Sequence, residues 1–140
     1  MQNHLVNKYF VVAVLEPLSD PDKEEWLTRI NSDDEDASRK VIRELLVPYY
    51  LRFDEGSRDI VKDTLRYYLS GGKSSQQDRD VFEDMFEKNY PALATPNPAR
   101  KIFVWLWEEM YGSEPYDVQN IPQYFLHEDG TAANRIRVSE

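Results

Sequence analysis

The sequence predicts an all-α, single-domain bundle of about six short helices around a central apolar helix near residues 98–111, with a less regular C-terminal segment from about 113. Three observations carry this expectation. Apolar residues recur at helical spacing in several separate stretches. Start and stop residues bracket those stretches: Asp20-Pro21, Ser57, Ser75 and Asn97-Pro98 open them, and Pro17, Gly71, Gly72, Pro91 and Gly112 close them. No Gly/Ser linker or internal repeat divides the 140 residues, a length that suits one domain with one core.

The first element is ambiguous. Val11, Val12 and Val14 favour a strand by their branching, but Leu5, Val6, Tyr9, Phe10, Ala13 and Val14 recur at helical spacing, so Leu5 to Glu16 is read as a helix that Pro17 stops. Asp20 then serves as N-cap with Pro21 at the first helical position, and Trp26, Leu27 and Ile30 form the buried stripe. Asn31 to Asp36 is an acidic loop opening a helix from about Asp34 to Leu46, whose Val41, Ile42, Leu45 and Leu46 share a face. Pro48 lacks an N–H and its ring presses on the preceding turn, so that helix is expected to break or kink there, with Tyr49 to Phe53 adding one more turn.

Ser57 is expected to cap a helix carrying Ile60, Val61, Leu65, Tyr68 and Leu69, and Ser75 with Asp78 resembles a capping box ahead of Val81, Phe82, Met85 and Phe86. From Ile102 to Trp107 six consecutive residues are apolar. A helix apolar on several sides belongs in the middle of its domain. Beyond 113 no period is sustained. Tyr116, Ile121, Tyr124, Phe125 and Leu126 are candidates to pin the segment down, through a short helix after Pro122, and Ile136 and Val138 are the last large apolar side chains.

Composition narrows the function. Apolar residues are 41% of the chain, with nine Tyr, six Phe and three Trp, which excludes a wholly disordered chain. Twenty-six acids against 17 bases give a net charge of -9. That argues against direct nucleic-acid binding, which needs a basic stripe, and suits a basic protein partner. With no Cys there is neither a disulfide nor a thiol nucleophile, and with only His4 and His127 there is no multi-His metal centre. No cofactor motif is present. The longest apolar run, Tyr9 to Leu15, has seven residues against the roughly 20 that span a bilayer, and no targeting or lipidation signal is legible. The compartment expected is the cytoplasm, away from a membrane.

Two constellations stand out as candidate partner-binding sites. Between Glu16 and Asp36 lie nine acids (Glu16, Asp20, Asp22, Glu24, Glu25, Asp33, Asp34, Glu35 and Asp36) against Lys23 and Arg29. They are either a solvated face with helix-starting acids or a recognition surface for a basic protein. A calcium loop is a poorer reading, because Asp33 to Asp36 lacks the glycine and alternate ligand spacing. The second is Pro48 to Gly56, where Tyr49, Tyr50 and Phe53 stand beside Asp54 and Glu55. Three aromatics in five residues cannot share one helix face, which leaves core rim and interface both open.

Catalytic groupings are not found, and the chain is expected not to be an enzyme. His127 beside Glu128 and Asp129 is the nearest approach to an acid–base cluster. Glu108 and Glu109 are adjacent on a helix and should point about 100° apart. Glu83 and Glu87 share a face as solubility charges do, and Trp105 and Trp107, interleaved with Val104 and Leu106, read as core.

The Tyr49-Tyr50 pair followed by Asp54, Glu55 and Gly56 resembles the Tyr-Tyr-and-acids recognition element of colicin nuclease immunity proteins, over nine residues from Pro48 to Gly56. At the level of class, the small, acidic, cysteine-free helical chain also resembles bacterial toxin-immunity proteins, including those of contact-dependent inhibition systems. The resemblance implies a non-enzymatic inhibitor that binds a basic cognate toxin, plausibly a nuclease, inside the producing cell, with Asp33, Asp34, Glu35, Asp36, Tyr49, Tyr50, Asp54 and Glu55 as contacts. Two alternatives stay open: an adaptor domain docking through its Trp/Tyr-rich C-terminal third, and a small enzyme with an unrecognised carboxylate site.

Overall fold

A computed structural model describes residues 4–71, 80–116 and 124–126. Among them the chain is a helical bundle of six helical stretches, with one parallel pair of three-residue strands added. Strand β1 (His4–Val6) pairs with β2 (Tyr124–Leu126) in the register His4 to Tyr124, Leu5 to Phe125 and Val6 to Leu126. The short helix expected after Pro122 is therefore extended where it is described. Phe125 belongs to a run of large apolar residues with no helical period, and pairing with β1 gives its backbone a hydrogen-bonding partner.

Helix α1 (Lys8–Val14) takes in the valines, and the expected helix from Leu5 to Glu16 is corrected at both ends: Leu5 and Val6 lie in β1, and Glu16 opens a 3-10 turn. Asn7 is fully buried and caps it: its side chain accepts from the Tyr9 N–H at 2.9 Å, and its own N–H donates to Thr64 Oγ1 at 3.3 Å. A cap of this kind outweighs weak strand propensity. A 3-10 turn at Glu16–Ser19 holds Pro17, and Asp20 caps the next, Pro21–Lys23, which leads into the short α2 (Glu24–Thr28) with Leu27 buried.

Helix α3 (Glu35–Val41) is capped by Asp34 and does not stop before Pro48. It widens into a π turn at Ile42–Leu46, where the Val47 N–H reaches back to the Ile42 carbonyl, and continues as α4 (Val47–Tyr50). A wider turn relieves the clash between the proline ring and the carbonyl four residues earlier. The sequence expectation of a break is thus corrected to a local unwinding inside one continuous run.

Helix α5 (Glu55–Leu69) starts two residues before Ser57, because Asp54 is the cap and accepts the Ser57 N–H at 2.8 Å. Ser57 is buried at the third helical position and is not the cap. Gly71 follows the helix at φ +97°, where a Cβ would be strained. Gly72, Ser75 and Asp78 lie outside the described residues; the described cap of α6 (Val81–Glu87) is Asp80, which accepts from Phe82 N–H.

The central helix is α7 (Arg100–Tyr111), packed against α3, the π turn, α5 and α6, with Ile102, Phe103, Trp105, Leu106 and Trp107 buried. Its start differs from expectation. The Asn97-Pro98 bond is cis, the Asn97 N–H donates to Asp33 at 2.8 Å, and the first helical residue is Arg100. Gly112 ends the helix at φ +65°. Beyond it a strap folds back onto α5: the Trp107 indole N–H donates to the Glu114 carbonyl at 2.6 Å, and Ser70 Oγ donates to the Tyr116 carbonyl at 2.6 Å. One continuous hydrophobic cluster runs from Val6 to Trp107. None of the described helices is long and apolar enough to cross a membrane.

Candidate functional site

The acidic segment from Glu16 to Asp36 is exposed along most of its length, but its acids differ in what they do locally. Asp20 and Asp34 are helix caps, accepting from Asp22 N–H and from Asp36 and Ala37 N–H respectively. Glu25 pairs with Arg29, and Glu35 with Arg39. Asp33 accepts both the Asn97 N–H and the Lys101 ammonium, the latter at 2.7 Å, and these two bonds hold its carboxyl below the usual range. Asp22, Glu24 and Asp36 are exposed and form no ion pair among the described residues. A cap or a hydrogen bond leaves a carboxylate charged, so the segment, apart from the ion-paired Glu25, Asp33 and Glu35, still projects negative potential.

The Tyr49-Tyr50 element divides. Tyr49 stays on the surface side and donates its hydroxyl to Glu16 at 2.9 Å, which ties the element to the acidic segment. Burial, and then that carboxylate, push its phenol up to about 12. Tyr50 is 6% exposed and lies within hydrogen-bond distance of the Tyr111 hydroxyl at 2.9 Å; burial raises both phenols above their ordinary value. Phe53 is buried. The side chain that points outward from this turn is Leu51, 59% exposed, with Arg52 beside it. Asp54 is built into the fold as the α5 cap, and Glu55 is exposed in its first turn.

Adjacent carboxylates Glu108 and Glu109 do not diverge as expected. Both reach one guanidinium, Arg39, which also pairs with Glu35; Glu109 meets it at 3.0 Å and Arg43 at 3.4 Å. Long glutamate side chains bend toward a cation seated between them, and backbone angle alone did not anticipate it. Burial works against the Arg39 charge, and its bonds to Glu108, Glu109 and Glu35 outweigh that, raising its affinity for the proton. Trp105 and Trp107 are in the core, as expected. His127, Glu128 and Asp129 lie outside the described residues. Among the described residues no three His, Asp or Glu side chains are grouped to hold a metal ion.

Sequence reading missed the loop between α6 and α7. It lies along the acidic segment and is fastened to it at both ends: Ala92 N–H donates to the Leu18 carbonyl at 2.9 Å, Ser19 Oγ donates to the Asn89 carbonyl, and Asp33 takes Asn97 N–H. The Asn89 amide also donates to the Val12 carbonyl at 3.1 Å, and Leu93 and Pro96 are buried. From this fixed loop Tyr90 stands out, 91% exposed, on a left-handed backbone at φ +52°. For a residue with a Cβ that conformation costs on the order of 1 kcal/mol. Shallow depressions of about 330 and 380 Å³ flank the ring, one lined by Asp84, Glu87 and Lys88 and the other by Pro91 to Thr95. The only sequence signal was Asn89-Tyr90-Pro91, and a residue before proline is biased to extended backbone, which points the wrong way.

Comparison of the chain with protein-family models, with curated proteins and with solved structures finds no match.

Proposed function

We propose that this protein is a non-enzymatic immunity or inhibitor protein that acts in the cytoplasm, binding a basic toxin and covering its working surface. A nuclease fits best, since such an enzyme must be basic to hold phosphates. One observation carries the reading. The segment from Glu16 to Asp36 holds nine acids against two bases, whereas the remainder of the chain holds 17 acids against 15 bases. The surplus is therefore local, and it sits on exposed turns and helix starts rather than being spread for solubility. A one-signed patch steers an oppositely charged partner and rejects wrong ones. The fixed position of Tyr49 against Glu16 supplies an amphipathic contact at the edge of that patch.

The test uses the acids that carry no structural bond. Asp22→Asn, Glu24→Gln and Asp36→Asn are combined, and binding to the basic protein that co-purifies with this chain from its host cells is followed in real time. Association should slow by roughly tenfold at low salt and lose most of its salt dependence, while dissociation changes little. Growth protection should fall in parallel. An unchanged association rate, or a co-purifying partner that is acidic, would sink the reading.

A further inference from the structure

We infer that Tyr90 is the close-range anchor of this surface: its ring seats in an apolar pocket on a basic protein partner, while the acidic segment beside it meets that partner's lysines and arginines. The inference rests on the inhibitor reading above and deepens it. Three observations converge. The ring is 91% exposed and so adds almost nothing to the core. Its backbone takes the left-handed conformation at φ +52°, which glycine or asparagine would adopt more cheaply. The loop that presents it is nevertheless fastened to the body through hydrogen bonds of Asn89 and Ala92 and the buried Leu93. A residue that gains nothing from burial and costs backbone strain, on a support fastened on both sides, is arranged for contact with something outside the chain.

The kind of partner follows from the neighbourhood. The loop is hydrogen-bonded to Leu18 and Ser19 at one end and to Asp33 at the other, so Tyr90 is bordered by the segment that carries the charge surplus. The depressions on either side of the ring allow a partner's side chains to close around it. An aromatic anchor surrounded by charge gives slow dissociation from the ring and fast association from the carboxylates. Tyrosine suits the role because it buries a large area with little rotamer entropy to lose.

The experiment places the photo-cross-linker p-benzoylphenylalanine at Tyr90, at Glu24 in the acidic segment, or at exposed Asp59 on α5 as a control, in the full chain inside its host cells. The expected result is one basic protein joined at positions 90 and 24 and absent at 59. With that protein purified, Tyr90→Ala should weaken binding by roughly thirtyfold or more, Tyr90→Phe should retain it, and the melting temperatures of Tyr90→Ala and Tyr90→Gly should match or exceed the parent's. Cross-linking at 24 but not at 90 overturns the anchor and leaves the inhibitor reading standing. A partner that is not basic, or none at either position, overturns both. A melting temperature lowered by Tyr90→Gly shows instead that the ring serves the fold, and ends the proposal.

Discussion

Charge is used in opposite ways on two faces of this molecule. On the seam between α3 and α7, Arg39 is surrounded by Glu35, Glu108 and Glu109, and Arg43 adds a second cation, so nearly every charge has an opposite within reach. Along Glu16 to Asp36 three of the nine acids are matched, Glu25 by Arg29, Glu35 by the same Arg39 and Asp33 by Lys101, and the other six form no ion pair among the described residues. Both regions are rich in carboxylates, and composition alone does not tell them apart. What separates them is neutralisation: a matched cluster fixes two helices against each other, and an unmatched one keeps a field available to solvent and to partners. The tyrosines repeat the contrast. Tyr50 is packed against Phe53 and Tyr111 with its hydroxyl paired, and Tyr90 is held out into solvent.

The largest expected effect lies in that second contrast. Tyr50→Ala removes a ring that is 6% exposed, and should cost about 3–5 kcal/mol of stability, as other buried aromatic truncations do. Tyr90→Ala should stay within about 0.5 kcal/mol. Urea unfolding of both variants checks this, and similar losses would erase the distinction. The phenols with raised proton affinity also set an alkaline limit. Their folded-state affinity for the proton is raised, with Tyr49 pushed up to about 12 and Tyr50 and Tyr111 also above the ordinary 10.0. The unfolded chain therefore loses these protons first. Stability is full below about pH 10 and declines as pH rises through the folded-state values. Melting temperature followed across that range should fall less steeply in Tyr111→Phe.

The charged seam comes next in size. Arg39→Ala leaves Glu108 and Glu109 beside each other with Arg43 as the nearer remaining cation. Arg39 and Glu109 are only 19% and 15% exposed, so the loss should fall between that of a surface pair and a buried one, about 2 kcal/mol. Arg39→Lys should recover part of it, since a single ammonium cannot serve three carboxylates with the reach of a planar fork. Denaturant unfolding decides it: a change below about 0.5 kcal/mol would class this network with ordinary surface pairs.

How much of this was legible in the sequence depends on whether the signal was local. The helical class, the Asp20-Pro21 start and the central position of the 102–107 run came from spacing and composition, although the first helix is shorter than its apolar period, since Leu5 and Val6 belong to β1. The misses were competitions between neighbours. Asp54 displaced Ser57 as cap because both stand near the same turn and the carboxylate lies one step outside it. At Pro48 the helix had a third choice besides breaking and kinking, to widen. Asn97 was drawn away from capping because Asp33, 64 residues earlier, takes its N–H. Of the candidate contacts, the acidic segment was visible as composition, but Tyr50 and Tyr90 could not be ranked, since burial is a long-range property.

The smallest effects divide the acids of the segment themselves. Asp34 and Asp36 are two residues apart, equally charged and both exposed. Asp34 accepts the N–H groups of Asp36 and Ala37 at the start of α3, and Asp36 lies inside the first turn with no such bond. Asp34→Ala should therefore cost about 1 kcal/mol through the lost cap. Asp36→Asn removes the same unit of charge without breaking a hydrogen bond. Two terms then oppose each other: a weakened interaction with the α3 N-terminus, a few tenths of a kcal/mol, and relief of repulsion from Asp33, Asp34 and Glu35, of similar size. The net change in stability should lie within about 0.5 kcal/mol, while association with a basic partner slows by a similar factor in both variants, because the field counts charges and not caps. Urea unfolding and stopped-flow association, measured on the two variants together, separate these terms. Should Asp36→Asn destabilise the fold as much as Asp34→Ala, the segment's charges are structural throughout, and the contrast with the Arg39 seam loses its basis.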